Sequence, residues 1–269
     1  MVLKRLTDLL LFTSLFIAFG AFALIARTYI FYNEEINIKI CSFVFTSTLF
    51  TYNFTKIIPI FFRSDKQEYA YNRRNQWNFE HKKLLIIITL VSGITSAYLF
   101  LNLNIKQQVF MLHLGAISIF YALPILKGKT LRDFPFFKVF LIAYTWAATS
   151  ILPFIEQGFN TNNITIFTGN FLFVLTITFP FDFRDYSRDK AQKISTVPHL
   201  LNINGTKILA SILLIGSLFF IPSKYFWHEI IITILTLPLL CFSSEKKGEY
   251  YFLGLIDGLL ILKFVILFF

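Results

Sequence analysis

Asp182, Asp185 and Asp189 follow an apolar run in the stretch FDFRDYSRDKAQKISTVP. Spacings of three and four place the three carboxylates on one face of a helix. Like charges so arranged repel, so the pattern calls for something positive among them. The chemistry that fits is Mg2+ holding a phosphate-bearing substrate. Arg184 and Arg188 form a neighbouring face, with Lys190 and Lys193 beyond. Cations beside metal-binding carboxylates are what diphosphate chemistry uses. The same spacing also suits a solvated helix in which Asp and Arg pair locally.

The elements that must position these residues are membrane spans. The chain has 269 residues, 56% hydrophobic, 19% aromatic and 15% charged, against about 25% charge in an ordinary soluble domain. The apolar residues fall in runs long enough to cross a bilayer, at roughly 8–27, 38–62, 84–103, 107–126, 138–156, 164–181, 207–223, 227–243 and 250–269. Ala21-Phe22-Ala23 imitates a signal-peptidase site, but the run continues to Ala26, so a retained first helix is expected. Most Lys and Arg residues cluster at the N-terminus and after the second, fourth, sixth and eighth runs. That alternation predicts nine spans, N-terminus cytoplasmic and C-terminus outside, as one domain over residues 1–269 with cytoplasmic loops at about 63–83, 127–137 and 182–206. The net charge of +10 then reflects basic loops beside anionic lipid rather than nucleic acid. The loop RSDKQEYAYNRRNQWNFEHKK reads as an interfacial segment with basic and aromatic anchors. Cys41 and Cys241 read as small buried apolar side chains.

Other polar groups lie inside the spans. Asp257 and Lys263 are six residues apart and do not face each other. A pair between Asp257 and a cation on another helix, such as Lys56, and a catalytic role are both open. Asn170 and His113 read as groups that hydrogen-bond between helices.

The stretch FDFRDYSRDKAQKISTVPHLLNINGTK resembles the second aspartate-rich motif of the UbiA superfamily of intramembrane prenyltransferases. Asp182, Asp185 and Asp189 match its acids, and Ser195-Thr196-Val197-Pro198 matches its tail. YALPILKGKTLRD is similar to that family's segment between the fourth and fifth helices, through Tyr121, Lys127 and Lys129. The first motif departs. In LFTYNFTKIIPIFFRSD, Asn53 is present, but Phe54, Thr55, Lys56, Ile57 and Phe61 replace the usual acidic pattern.

The resemblance implies an all-α integral membrane fold, a nine-helix bundle around a central cavity. It also implies Mg2+-dependent transfer of a prenyl group from a prenyl diphosphate to a lipophilic, often aromatic acceptor within the membrane, and the abundance of Phe, Ile, Lys and Asn fits a bacterial inner membrane. Asp182, Asp185 and Asp189 would carry the metal. Asn53, Lys56, Arg63, Tyr121, Lys127 and Lys129 would contact substrate, with Lys56 and Arg63 as fixed cations in place of a second metal. Tyr52, Tyr121, Tyr144 and Trp146 are the aromatic candidates for a carbocation pocket. The degenerate first motif keeps an alternative open: a non-catalytic protein of this fold that binds or carries an isoprenoid lipid.

Overall fold

The computed structural model describes residues 2–62, 73–123, 130–131, 134–158 and 160–269. Among them, all regular structure is helical. The helices are α1 (Val2–Phe12), α2 (Leu15–Phe31), α3 (Ile38–Phe62), α4 (Arg73–Glu80), α5 (Lys82–Phe100), α6 (Ile105–Ala122), α7 (Phe137–Ser150), α8 (Thr161–Arg184), α9 (Tyr186–Ala191), α10 (Val197–Ser217), α11 (Phe226–Cys241) and α12 (Asp257–Val265). A π-helical turn, Tyr251–Ile256, leads into α12. Five helical segments are each long and apolar enough to cross a membrane, six if the bent α1–α2 pair is one span. The chain is therefore a multi-pass helical membrane protein.

The first apolar run is not one straight helix. The α1 and α2 axes meet at 58°, and Ser14 at the break has a left-handed φ of 63°. A break inside a bundle leaves carbonyls without intrahelical donors. Lys56 on α3 supplies them: its Nζ lies 2.6 Å from Phe12 O and 2.5 Å from Ser14 Oγ. Asn53, one turn earlier, donates from Nδ2 to Thr13 O at 2.8 Å. The expected span 8–27 is thus a bent pair, a short oblique helix followed by a longer one, and the two are long and apolar enough to cross a membrane when taken together. Val2, Leu3 and Leu6 of the oblique piece stay exposed, and Asp8 is tied to Arg73 of α4 and to Tyr250.

The closest-packed helix pairs are α3 with α5, α7 with α8, α8 with α10, α2 with α12 and α2 with α3. The core runs along α8, where Phe173, Phe179 and Phe183 meet Leu214 of α10 and Leu259 and Leu260 of α12. A second cluster joins Ile25 and Tyr29 of α2 to Phe43 and Val44 of α3 and to Phe154. Outward faces carry exposed Leu90, Ile94, Ile208, Ile212, Ile231 and Ile234. Apolar residues inside and out are what a lipid solvent permits. At one close approach no side chain fits: a Cβ on Gly169 would lie 2.7 Å from Phe220 O.

Buried charge also joins the spans. Glu229 of α11 is bonded to Arg27 of α2, and its Oε2 lies 3.1 Å from Lys263 Nζ of α12. Arg27 Nη1 also donates to Asn170 Oδ1 at 3.1 Å, and Asn170 Nδ2 donates to Ser150 Oγ at 2.9 Å. Lys263 sits 3.9 Å from the Phe173 ring centroid. His113 of α6 meets the Tyr144 hydroxyl of α7 at 3.1 Å. Asn170 and His113 therefore do connect helices.

Candidate functional site

The three aspartates do not share one uninterrupted helix. Asp182 lies in the last turn of α8, Asp185 is the break with φ −93° and ψ 3°, and Asp189 lies on α9. The bond from Asp185 N to Phe181 O, 3.0 Å, ties the break to α8, and that from Asp189 N to Asp185 O, 2.8 Å, starts α9 from it. All three carboxylates are buried, with residue exposures of 1%, 6% and 1%.

They converge on an ammonium. Lys138 Nζ lies 2.7 Å from Asp182 Oδ1, 3.6 Å from Asp185 Oδ2 and 3.4 Å from Asp189 Oδ2. Lys138 is in the first turn of α7 and is itself buried. Its position is built by the segment before it. Phe136 takes a left-handed φ of 64°, and its N–H donates to Ser195 O at 3.0 Å. That bond pins the start of α7 to the chain leaving α9.

The tail of the motif serves the same framework. Thr196 is the N-cap of α10, with Pro198 in the first turn and a reciprocal cap from His199, a position where the missing proline N–H costs nothing. His199 Nδ1 lies 2.9 Å from Thr196 Oγ1, and Nε2 lies 3.1 Å from Tyr186 O.

Two arginines complete the charge. Arg184 reaches Asp185 at 3.1 Å and Glu249 at 3.4 Å, and Arg188 reaches Asp185 at 2.8 Å. Burial alone would raise the Asp185 carboxyl; Arg184, Lys138 and Arg188 more than reverse that and hold it well below the usual carboxylate range. Three cations thus face four carboxylates, Asp182, Asp185, Asp189 and Glu249, so most of the local charge is offset within the chain.

Beside this cluster several polar and aromatic side chains gather between the helices. Tyr52 lies within electrostatic reach of Asp257, Tyr121 and Arg74, and against Trp146. Asp257 is in turn near Arg74 and Arg184. Each of these residues is only half-buried. Asp257 forms no ion pair or hydrogen bond with another described residue; its nearest charges are arginines, not Lys56. Tyr144 stands apart, paired with His113.

The substrate candidates divide accordingly. Tyr121 joins the group around Tyr52. Asn53 and Lys56 bond the α1–α2 break. Arg63, Lys127 and Lys129 lie outside the described residues.

Mg2+ favours near-octahedral oxygen donors at about 2.0–2.1 Å. The donor chemistry is suitable, and Asp182 Oδ1 and Asp189 Oδ1 are buried acceptors with no donor in hydrogen-bond geometry. The centre of the three carboxylates is taken by the Lys138 ammonium, however, and among the described residues no three His, Cys, Asp or Glu side chains are arranged to hold a metal. With Lys138 in place, the residues do not fit the ion. Sequence reasoning saw that a positive partner was required but not that α7 provides it.

No protein-family model matches the chain, and no curated protein sequence does. Solved structures do. A UbiA homologue from Archaeoglobus fulgidus bound to GPP and Mg2+ superposes with a TM-score of 0.64 at 13% identity, covering 98% of this chain and 100% of that one. The same homologue bound to DMAPP and Mg2+ gives 0.59 at 13% identity, covering 97% and 98%. A structure from work on digeranylgeranylglyceryl phosphate synthase in membranes gives 0.54 at 18% identity, covering 97% of each chain. The chain has the fold of these UbiA homologues over nearly its whole length.

Proposed function

We propose that the protein is an intramembrane prenyltransferase, nine-spanning and open to the cytoplasmic face. It draws the allylic chain of a prenyl diphosphate into the bundle and passes the prenyl group to a lipophilic, aromatic acceptor. The observation that carries this reading is the gathering of Tyr52, Tyr121, Trp146, Arg74 and Asp257 beside the acidic motif of α8 and α9, which Arg184 links to Asp257. The fold adds support, because a neighbour of the same fold was solved with GPP and Mg2+.

Each part has a chemical task. Arg74, with Arg63, Lys127 and Lys129 of the basic loops, meets the diphosphate oxygens. The allylic C–O bond breaks, and the diphosphate leaves with the electron pair. The carbon gains cationic character opposite the ring faces of Tyr52, Tyr121 and Trp146. The acceptor forms the new bond to that carbon, and its displaced proton passes to the Asp257 carboxylate. Enclosure by the bundle keeps water from the cation. The divalent ion expected from the sequence has no step here, because Lys138 fills its place.

Purified protein in nanodiscs, given labelled prenyl diphosphates and candidate acceptor lipids, tests the reading. Labelled lipid product is expected, with at least about a hundredfold loss in Asp257→Asn, the usual scale of general base catalysis. One observation favours the carrier alternative: most of the acid cluster's charge is already offset internally. Saturable isoprenoid binding with no turnover of any donor would establish it.

A further inference from the structure

We propose that Lys138 is a tethered replacement for the divalent ion: its ammonium occupies the centre of Asp182, Asp185 and Asp189 and, with Arg184 and Arg188, offsets their charge, so the protein handles its phosphorylated substrate with no metal at this cluster. The inference rests on the transferase reading only for the substrate; the charge replacement stands on the geometry alone.

The ammonium is within ion-pair distance of all three acids. An ammonium has three N–H donors and no acceptor. Three carboxylates surround it, each with one oxygen between 2.7 and 3.6 Å from Nζ. Lys138 is 7% exposed, so its charge is not shared with bulk water, and a buried ammonium requires counter-charge. Retention of all three aspartates is then explained without a metal: each one balances or orients the same nitrogen.

The placement is fixed by the fold. The bond from Phe136 N to Ser195 O locks the start of α7 against the segment that follows α9. Val139, the next residue, is packed in the main core, so α7 cannot roll to carry Lys138 outward without opening that core. A metal ion would have to expel this ammonium from a buried site while Arg184 and Arg188 still pull on Asp185. The other stretch where the resemblance implies metal-binding acids has a lysine too. Lys56 there is held by Phe12 O and Ser14 Oγ. Lysines thus stand at both places.

Mn2+ titration followed by electron paramagnetic resonance on the full-length protein, without any prenyl substrate, tests this independently of transfer activity. Wild-type protein is expected to bind no Mn2+ through the cluster. Lys138→Ala is expected to gain one site per chain, at least tenfold tighter than any wild-type binding, and Lys138→Ala/Asp189→Asn to lose it. Lys138→Arg, which keeps the charge, should remain silent. If Lys138→Ala does not fold, the wild-type arm decides: its unfolding temperature should be the same with Mg2+ and with EDTA. Wild-type Mn2+ binding that Mg2+ displaces and Asp182→Asn abolishes would overturn the proposal. So would a folded Lys138→Ala protein that gains no site.

Discussion

The ammonium of Lys138 lies 2.7 Å from Asp182 Oδ1, joining the first turn of α7 to the last turn of α8. This contact sets a cation among the three acids, and it makes stability depend on one lysine. Removing one partner of a buried ion pair costs about 3–5 kcal/mol. Lys138→Met should destabilise the protein by roughly the lower end of that range, because Arg184 and Arg188 still compensate Asp185. Chemical unfolding in detergent measures it.

The same cluster fixes a pH dependence. The folded Asp185 carboxyl lies below its unfolded value, which is about 3.9. Its contribution is therefore fully present above that value and is lost as pH falls below it, toward the lower folded value. Unfolding midpoints should be insensitive to Asp185 from neutrality down to about pH 5 and fall under more acid conditions. Asp185→Asn should flatten the acid limb of that profile.

Glu229 holds Arg27 and Lys263 at once, all three buried. Glu229→Gln would leave two cations without a counter-charge in the bundle, so a loss of about 3–5 kcal/mol is expected. Thermal unfolding of the purified variant checks it, and Lys263→Met should be milder because the Arg27–Glu229 pair survives.

Lys56 separates a structural from a substrate role. Its loss removes a donor to Phe12 O and Ser14 Oγ, and a buried acceptor left unpaired costs about 1–3 kcal/mol. Lys56→Met should lower stability by that amount while KM for the prenyl diphosphate stays near the wild-type value. A large rise in KM with unchanged stability would return Lys56 to the substrate site.

Gly169 is the packing counterpart. An added methyl would meet a backbone carbonyl, Phe220 O, at 2.7 Å, and backbone cannot swing aside as a side-chain tip does. Gly169→Ala should cost about 1–3 kcal/mol, the usual range for overpacking, read from the unfolding midpoint.

The sequence made the membrane class and the acidic motif legible, because both are local. Apolar runs and spacings of three and four are written in neighbouring residues. The partners were not local. Lys138 reads as one more basic loop residue, since nothing in linear spacing sets it opposite Asp182, 44 positions on. Lys263 reads as a lone charge in a span for the same reason: Glu229 sits on a different helix. The α1–α2 break was also hidden. Thr13 and Ser14 look like tolerated polar residues in an apolar run, and only Lys56 and Asn53 on α3 reveal that the carbonyls there are satisfied from outside. The Ser195–Pro198 tail was visible as a motif but not as what it is, a helix cap and a latch on α7.

The most direct test of the central claim is photolabelling with a benzophenone-bearing prenyl diphosphate, followed by peptide mass spectrometry. The account expects one label per chain on peptides carrying Tyr52, Trp146 or Asp257, suppressed by unmodified prenyl diphosphate and insensitive to EDTA. Labels confined to the lipid-facing helices α5, α10 and α11, unaffected by competitor, would contradict it.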